Sequence, residues 1–189
     1  MSSSFETILR NALKGICSIS DLQAARLEAH YDLLVRWNRR INLTTVTRLE
    51  EAVVRHYAES LFLAANLPSG RFSVVDFGSG PGFPGLPLAV YRPECQVALV
   101  ESVKKKAVFL AEAARGFSNV KVLALRGETL KPEFDWIVAR AVAWSDLPRL
   151  APRFAVLAGD SVSGVPIVRR IQLPWGRQRY LWIGEYQRG

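Results

Sequence analysis

The sequence contains little cysteine, little histidine and no long apolar run. Its two cysteines, Cys17 and Cys95, are far apart in 189 residues, which excludes a disulfide framework and a cysteine metal cluster. No apolar segment approaches the ~20 residues of a membrane span. The first twenty residues lack the basic start and long apolar centre of a signal peptide. We therefore expect a soluble, cytoplasmic protein that holds no metal and is not attached to a membrane.

Positive charge is what the sequence has in excess. The net charge is +8, although the 49% of hydrophobic and 22% of charged residues are ordinary for a globular chain. The excess grows along the chain, from 8 basic and 7 acidic residues over 1–70 to 7 basic and 3 acidic over 141–189. A surplus of this size favours nucleic acid as the partner over an inert basic surface. We expect the protein to act as a monomer.

The hydrophobic pattern changes near "NLPSG" (66–70). Residues 1–66 keep helical spacing in three segments, and Ser20 is a plausible N-cap of the second. From Phe72 onward buried strands alternate with helices, including a short helix near 144–150, which predicts a mostly parallel α/β sheet covered on both faces. A turn at 174–176 predicts a final antiparallel hairpin. We predict a helical extension over 1–66 and an α/β domain over 67–189.

The stretch "VVDFGSGPGFPGLPLAV" (74–90) follows the first predicted strand and fits two nucleotide-binding patterns. One is the dinucleotide pattern G-x-G-x-x-G, matched by Gly80, Gly82 and Gly85. The other is D-x-G-x-G-x-G, with an acid at the strand end, matched by Asp76, Gly78, Gly80 and Gly82. A tight strand-to-helix turn without a ligand is the alternative.

Two residues of this loop favour S-adenosylmethionine over NAD. Asp76 would repel a pyrophosphate but suits a cationic sulfonium or ammonium. Pro81 removes a backbone N–H where a pyrophosphate needs donors. Glu101 ends the second strand and can accept hydrogen bonds from the ribose of either ligand. Its alternative is an ion pair with a lysine of 104–106.

Four segments together resemble the GidB/RsmG family of small-subunit ribosomal RNA guanine-N7 methyltransferases. The loop "DFGSGPGFPGLPLA" resembles the signature of that family, and "RWNRRINLTTVTRLEEAVVRHYAESL" (36–61) resembles its N-terminal block. "ESVKKKAVFL" and "DWIVARAVA" resemble the segments at its second and fourth strands, so that the likeness covers roughly 20–157. The resemblance implies a Rossmann-like S-adenosylmethionine-dependent methyltransferase fold, S-adenosylmethionine as cofactor, and 16S ribosomal RNA or the small ribosomal subunit as partner.

The resemblance also implies two groups of site residues. Those expected at the cofactor are Asp76, Gly78, Gly80, Gly82, Phe83, Glu101, Gly127, Glu128 and Arg140. Those expected at the RNA are Arg36, Arg39, Asn42, Thr44, Arg55 and His56. The Arg140 guanidinium could pair with the methionine carboxylate of the cofactor or, alternatively, with Asp76 or Glu101. Trp37, among the arginines, is equally suited to stacking on RNA and to a buried position.

The expected reaction needs no catalytic residue. Guanine N7 carries a lone pair and no proton, so alignment and exclusion of water suffice. N7 lies on the major-groove edge, which is inaccessible in duplex RNA, and the target should therefore be a loop or flipped-out guanine.

The chain departs from the family pattern after its fifth predicted strand. The usual Lys-Gly pair is absent, and "AGDSVSG" leaves no room for a helix. Four arginines could compensate in RNA contact: Arg169, Arg170, Arg177 and Arg179. A non-catalytic RNA-binding homologue and a small-molecule methyltransferase are the alternative functions.

Overall fold

The computed structural model describes residues 2–126, 129–131, 133–160 and 166–186. Within them a seven-stranded sheet follows a set of N-terminal helices. The helices are α1 (Ser4–Ala12), α2 (Asp21–Asn38), α3 (Leu49–Ala52), a π-helix (Val53–Ala58), α4 (Glu59–Asn66), α5 (Gly85–Tyr91) and α6 (Lys104–Ala113). The strands are β1 (Ser73–Phe77), β2 (Gln96–Val100), β3 (Val120–Leu123), β4 (Trp136–Arg140), β5 (Arg153–Ala158), β6 (Ile167–Gln172) and β7 (Tyr180–Glu185).

The predicted N-terminal helices are confirmed. Ser20 caps α2 in a reciprocal arrangement with Gln23, in which each side chain bonds the backbone N–H of the other residue. The third predicted helix is present, but its middle third is the π-helix, flanked directly by α3 and α4. Hydrophobic spacing alone does not reveal this local change of pitch. π-helical turns often occur at functional sites.

The sheet has the strand order β3-β2-β1-β4-β5-β7-β6. β3, β2, β1, β4 and β5 pair in parallel, and β7 is antiparallel to both β5 and β6. This confirms the predicted mostly parallel sheet with an antiparallel C-terminal hairpin. The strand order reverses direction at β1, so the loops that follow β1 and β4 flank a crevice at the carboxyl edge of the sheet.

The segment after β4 differs from the prediction. The expected helix near 144–150 is a single 3-10 turn over Trp144–Asp146. Leu147 is extended, with ψ of 109°, because the following Pro148 disfavours the helical conformation in the residue before it.

The larger hydrophobic core joins the N-terminal helices to one face of the sheet. Leu27 of α2 and Leu61 of α4 belong to the same buried cluster as Val74 of β1 and Leu88 of α5. On the opposite face, the buried cluster consists of the strands' own side chains and of loop residues from 125–134 and 142–151, with Tyr186 after β7. Among the described residues, this cluster contains none from an α-helix. The division at residue 66 stays a prediction. None of the described helices is long and apolar enough to span a bilayer.

Candidate cofactor site and nucleic-acid interface

The glycine loop satisfies both patterns that the sequence allowed. Gly78, Gly80 and Gly82 have φ of +70°, +55° and +98°, a region that favours glycine. Gly85 is required for another reason. A Cβ there would overlap Leu99 and lie 2.6 Å from Oδ2 of Asp76, so this glycine lets α5 pack directly on β1 and β2. Gly78 belongs only to the D-x-G-x-G-x-G pattern and favours it, whereas the close packing at Gly85 is also what the third glycine of G-x-G-x-x-G provides.

Glu101 holds the loop against the end of β2. Its Oε2 accepts a hydrogen bond from the N–H of Gly80 at 3.0 Å, and its Oε1 accepts one from the N–H of Val103 at 2.7 Å. The lysines of 104–106 are thus not its hydrogen-bond partners. Each carboxylate oxygen keeps a second lone pair, which leaves Glu101 able to accept from a ribose as well.

Asp76 is a fully buried carboxyl group beneath the loop. Its Oδ2 accepts a hydrogen bond from the N–H of Gly85 at 2.9 Å, whereas its Oδ1 has no partner among the described residues. Burial raises the pKa of Asp76 to about 7, against the opposing effects of the Gly85 N–H, the Ser79 hydroxyl and Arg140. The Ser79 hydroxyl donates to the main-chain oxygen of Asp76 at 3.0 Å rather than to Oδ1. A buried oxygen without a partner is costly and often marks a functional position. A ligand that carries positive charge would fit this site. It could pair with the unpaired oxygen of Asp76, and the glycines of the loop would let it approach the backbone closely.

Arg140 joins the end of β4 to the π-helix. Its Nη1 donates to the carbonyl of Arg55 at 2.6 Å and to Nδ1 of His56 at 2.9 Å. Its guanidinium also lies 5.2 Å from the centre of the Phe83 ring. Burial lowers its pKa to about 10, so the group remains charged at neutral pH. The described contacts do not include the ion pair with Asp76 or Glu101 that was the alternative.

His56 lies between the arginine and the N-terminal block. Because Arg140 donates to Nδ1, the ring proton is on Nε2, which donates to Oγ1 of Thr44 at 2.9 Å. The ring stacks on Phe83 with centroids 4.7 Å apart. Burial, with the nearby positive charge of Arg140, lowers the pKa of His56 to about 3. The structure thus brings Thr44, Arg55 and His56 together at Arg140, with a neutral ring among them.

The ring of Phe83 does not face an open crevice. It is 2% exposed and is enclosed by side chains of the N-terminal helices, including Tyr57 at 5.0 Å. Phe83 therefore fastens the glycine loop to the helical segment.

The side chain of Asn38 closes the turn after α2. Its Oδ1 accepts from the N–H groups of Leu43 and Thr44, and its Nδ2 donates to the carbonyl of Thr44. Asn42, which was expected at the RNA, is exposed in the same turn.

Two of the expected RNA arginines, Arg36 and Arg39, border an open pocket. They are exposed and line a cavity of about 490 Å³ together with Arg40 and Trp37. The indole is half-buried and lies edge-on to Phe109 at 5.8 Å. Trp37 thus packs on the core and also borders the pocket, and its stacking on RNA stays a prediction.

Two of the tail arginines are engaged within the fold. Arg179 pairs at 2.5 Å with Glu59, which is 1% exposed. Arg170 pairs with Asp160 and lies 3.9 Å from the ring centre of Tyr180. Their compensating role in RNA contact is weakened, because both guanidinium groups already have partners.

Sequence reasoning did not single out His30 and Tyr57. Both are buried at the base of the loop, where the Tyr57 hydroxyl lies 2.9 Å from the His30 ring. One signal was present, since His30 shares a helical face with Leu27 and Leu34, and a polar residue in that position needs a buried partner.

Gly127 and Glu128, which were expected at the cofactor, lie outside the described residues. The described residues contain no group of three or more side chains that could hold a metal ion.

The sequence matches one family model over residues 23–150, described as GidB, rRNA small subunit methyltransferase G. Among curated proteins, ribosomal RNA small subunit methyltransferase G of Enterobacter sp. is 34% identical, with 79% of each chain covered. The proteins of the same name from Roseiflexus sp. and Xylella fastidiosa are 45% and 44% identical over 61% and 67% of this chain. The chain spans only 53% and 61% of those two relatives.

Solved structures of low sequence identity share the fold. The methyltransferase domain of METTL16 is 13% identical, with a TM-score of 0.54 over 98% of this chain and 93% of that one. TrmK of M. capricolum, solved with S-adenosyl-homocysteine, is 9% identical, with a TM-score of 0.52 over 68% of each chain. These similarities confirm the predicted Rossmann-like methyltransferase fold.

Proposed function

Because the chain belongs to the GidB family of small-subunit ribosomal RNA methyltransferases, which use S-adenosylmethionine, we propose that it methylates N7 of a guanine in small-subunit (16S) ribosomal RNA. The unpaired Oδ1 of Asp76 beneath the glycine loop is the observation that best supports S-adenosylmethionine as the ligand of this site. A cation bound beside this oxygen would stabilise the charge of the buried carboxylate, because the described residues provide a hydrogen bond to only one of its two oxygens.

The residues around the crevice supply recognition of the cofactor. Glu101 ends β2 with lone pairs to spare for ribose hydroxyls, and Arg140 ends β4 with a charge for the carboxylate of the methionine part. Both strand ends flank β1, where the sheet order reverses.

The chemistry needs alignment more than proton transfer. The bound cofactor supplies an electrophilic methyl group on its sulfonium. Guanine N7 attacks with its own lone pair, so this protein has no proton to remove. The neutral His56 is consistent with this, since it acts as a hydrogen-bonded spacer between Arg140 and Thr44. We assign His56 and Thr44 to orienting the guanine.

The exposed arginines beside Trp37 provide the RNA surface in this proposal. Arg36 lies in the last turn of α2, and Arg39 is the C-cap of that helix. Arg55 lies on the π-helix, which contacts Arg140. Arginines interleaved with an aromatic side chain suit phosphate contact and base stacking.

A methylation assay tests the function directly. Purified protein and labelled S-adenosylmethionine are incubated with small ribosomal subunits, with naked ribosomal RNA, and with small molecules only. We expect label in the RNA, mapped by mass spectrometry to guanine N7. Label only in small molecules, or RNA binding without transfer, would contradict the proposal.

Removing Arg36 and Arg39 should weaken RNA binding and its salt dependence. Each glutamine substitution removes one phosphate-binding charge, so the slope of log K against log salt should fall by about 0.7–0.9 per residue. Filter binding between low and physiological salt measures the slope. Arg71→Gln is the matched control, because exposed Arg71 precedes β1 at the edge of the sheet away from the crevice. Equal slopes in wild type and R36Q/R39Q would place the RNA elsewhere.

Affinity for S-adenosylmethionine should rise with pH between 6 and 8. The pKa of Asp76 in the protein is about 7, so below that pH the acid must lose its proton before its charge can attract a cation. Above it the affinity should level off, with a total gain of about tenfold. Burial keeps the pKa of His30 near 4 and that of His56 near 3, so neither titrates in this range.

Two comparisons isolate the charge of Asp76 in calorimetric titrations. S-adenosylhomocysteine lacks the sulfonium charge and should show a weaker pH dependence, and Asp76→Asn should flatten the curve for S-adenosylmethionine. Identical pH profiles for both ligands would show that Asp76 does not sense the sulfonium charge.

A further inference from the structure

Both ring nitrogens of His30 are hydrogen-bonded, although the residue lies on α2, far from the glycine loop in sequence. Nε2 is 3.0 Å from the carbonyl oxygen of Pro81, and Nδ1 is 2.9 Å from the hydroxyl of Tyr57. A carbonyl can only accept, so Nε2 carries the proton and Nδ1 accepts the hydroxyl proton of Tyr57. Burial lowers the pKa of His30 to about 4, which keeps the ring in this neutral form. Tyr57 therefore selects the tautomer that bonds to the loop.

Pro81 occupies the centre of the glycine loop. It lies between Gly80 and Gly82, which both have positive φ and therefore have unusually free backbones. The other described hydrogen bonds of the loop join its own backbone groups, as in Gly82 N to Ser79 O at 2.8 Å, or link it to Asp76 of β1, to β2 and to Glu101. Among the described residues, the hydrogen bond to the Pro81 carbonyl comes from His30.

The His30 ring also fits closely under the loop. It meets Phe83 edge-on at 5.3 Å and lies 5.8 Å from Phe109 of α6. A Cβ added at Gly82 would lie 3.5 Å from Nε2. The ring therefore cannot shift toward the loop without displacing it, and the loop is supported from below.

We propose that His30, oriented by Tyr57, is a positioning residue that fixes the Pro81 carbonyl and thereby holds the glycine loop in the shape that binds the cofactor. The inference rests on the proposed function, since it concerns the same cofactor site. It also gives the helical segment a role in cofactor binding, because α2 carries His30 as well as the exposed Arg36. Neither His30 nor Tyr57 touches the reacting atoms in this proposal.

The test compares His30→Met with His30→Gln. Methionine fills a similar volume without a donor, and glutamine places an N–H donor near the position of Nε2. We expect the Kd for S-adenosylhomocysteine, measured by calorimetry, to rise about tenfold in H30M and to return to within about threefold of wild type in H30Q. Thermal unfolding of each variant is recorded without ligand. A merely structural role would lower the unfolding temperature without this rescue of affinity.

Tyr57→Phe tests the tautomer selection. Without the hydroxyl both neutral tautomers become accessible, and only one can donate to Pro81, so the Kd should rise about twofold. If H30M does not fold, the affinities of Y57F and H30Q for S-adenosylhomocysteine still test the proposal. Equal affinity in wild type, H30M and Y57F, or H30Q no better than H30M, would overturn the inference. Failure of the wild type itself to bind S-adenosylhomocysteine would overturn the proposed function and this inference with it.

Discussion

Replacing Arg140 by methionine is expected to lower the rate of methyl transfer at least about 100-fold. Arg140 brings a half-buried positive charge to the end of β4, where it bonds the carbonyl of Arg55 and the ring of His56. The substitution removes the proposed partner of the cofactor carboxylate and also releases the π-helix. Its measured readouts are the transfer rate and the Kd for S-adenosylhomocysteine.

The fold should survive this substitution. The two groups that Arg140 bonds are neutral, and the nearby Glu59 has its own partner in Arg179. The positive charge of Arg140 also lowers the pKa of Asp76, so without it this buried carboxyl group can take up a proton instead of remaining an unpaired charge.

A matched arginine at the other end of the sheet serves as the control. Arg153 begins β5, pairs with Asp135 and lies over the ring of Trp136. Arg153→Met removes the same charge from the edge away from the crevice and should leave methyl transfer within about twofold of wild type. A wild-type rate in R140M, or equal losses in the two variants, would contradict a role for Arg140 at the cofactor.

Replacing Gly85 by alanine is expected to destabilise the protein by about 2 kcal/mol. The added Cβ would overlap Leu99 of β2 and press on the carboxyl group of Asp76. Neither neighbour can yield easily, because both are fully buried in the sheet. The helix α5 would have to move away from β1. Urea unfolding followed by circular dichroism measures the free energy of unfolding.

Gly116 supplies the control for this substitution. It has a φ of +85° and no atom within 4 Å of an added Cβ, so Gly116→Ala carries only the conformational cost of a left-handed residue, about 1 kcal/mol. At Gly85, by contrast, φ is not positive, and the cost of an alanine comes from crowding of its Cβ. If G85A unfolds at the same urea concentration as wild type, α5 does not pack on the strands as closely as described.

Local patterns predicted most of the regular structure. The three N-terminal helical segments, the alternation of strands and helices, and the final hairpin all follow from hydrophobic spacing and turn residues, and the structure confirms them. The pitch of the helix through His56 was not predictable, because the π-helix is only 6 residues long, too short for apolar spacing to distinguish it from an α-helix. The helix predicted after β4 was wrong, because one proline restricts the residue before it.

The glycine loop was predictable in part. Asp76 and Pro81 favoured the D-x-G-x-G-x-G register, and the backbone conformations of Gly78 and Gly80 agree with it. The predicted methyltransferase class and its S-adenosylmethionine cofactor are confirmed by the family to which the chain belongs. The individual site residues stay predictions until the variants described above are measured.

The sequence by itself determined what depends on neighbours along the chain: its helices and strands, the loop that needs glycine, and the family. Only the tertiary structure decided which partners the polar side chains take. His30 reaches Pro81 across 51 positions, and Arg140 reaches His56 across 84. Such pairs form because α2 and the π-helix pack beneath the loop and bury these groups together. A buried polar group must find whichever partner the packing brings within reach, and separation in sequence carries no information about that distance.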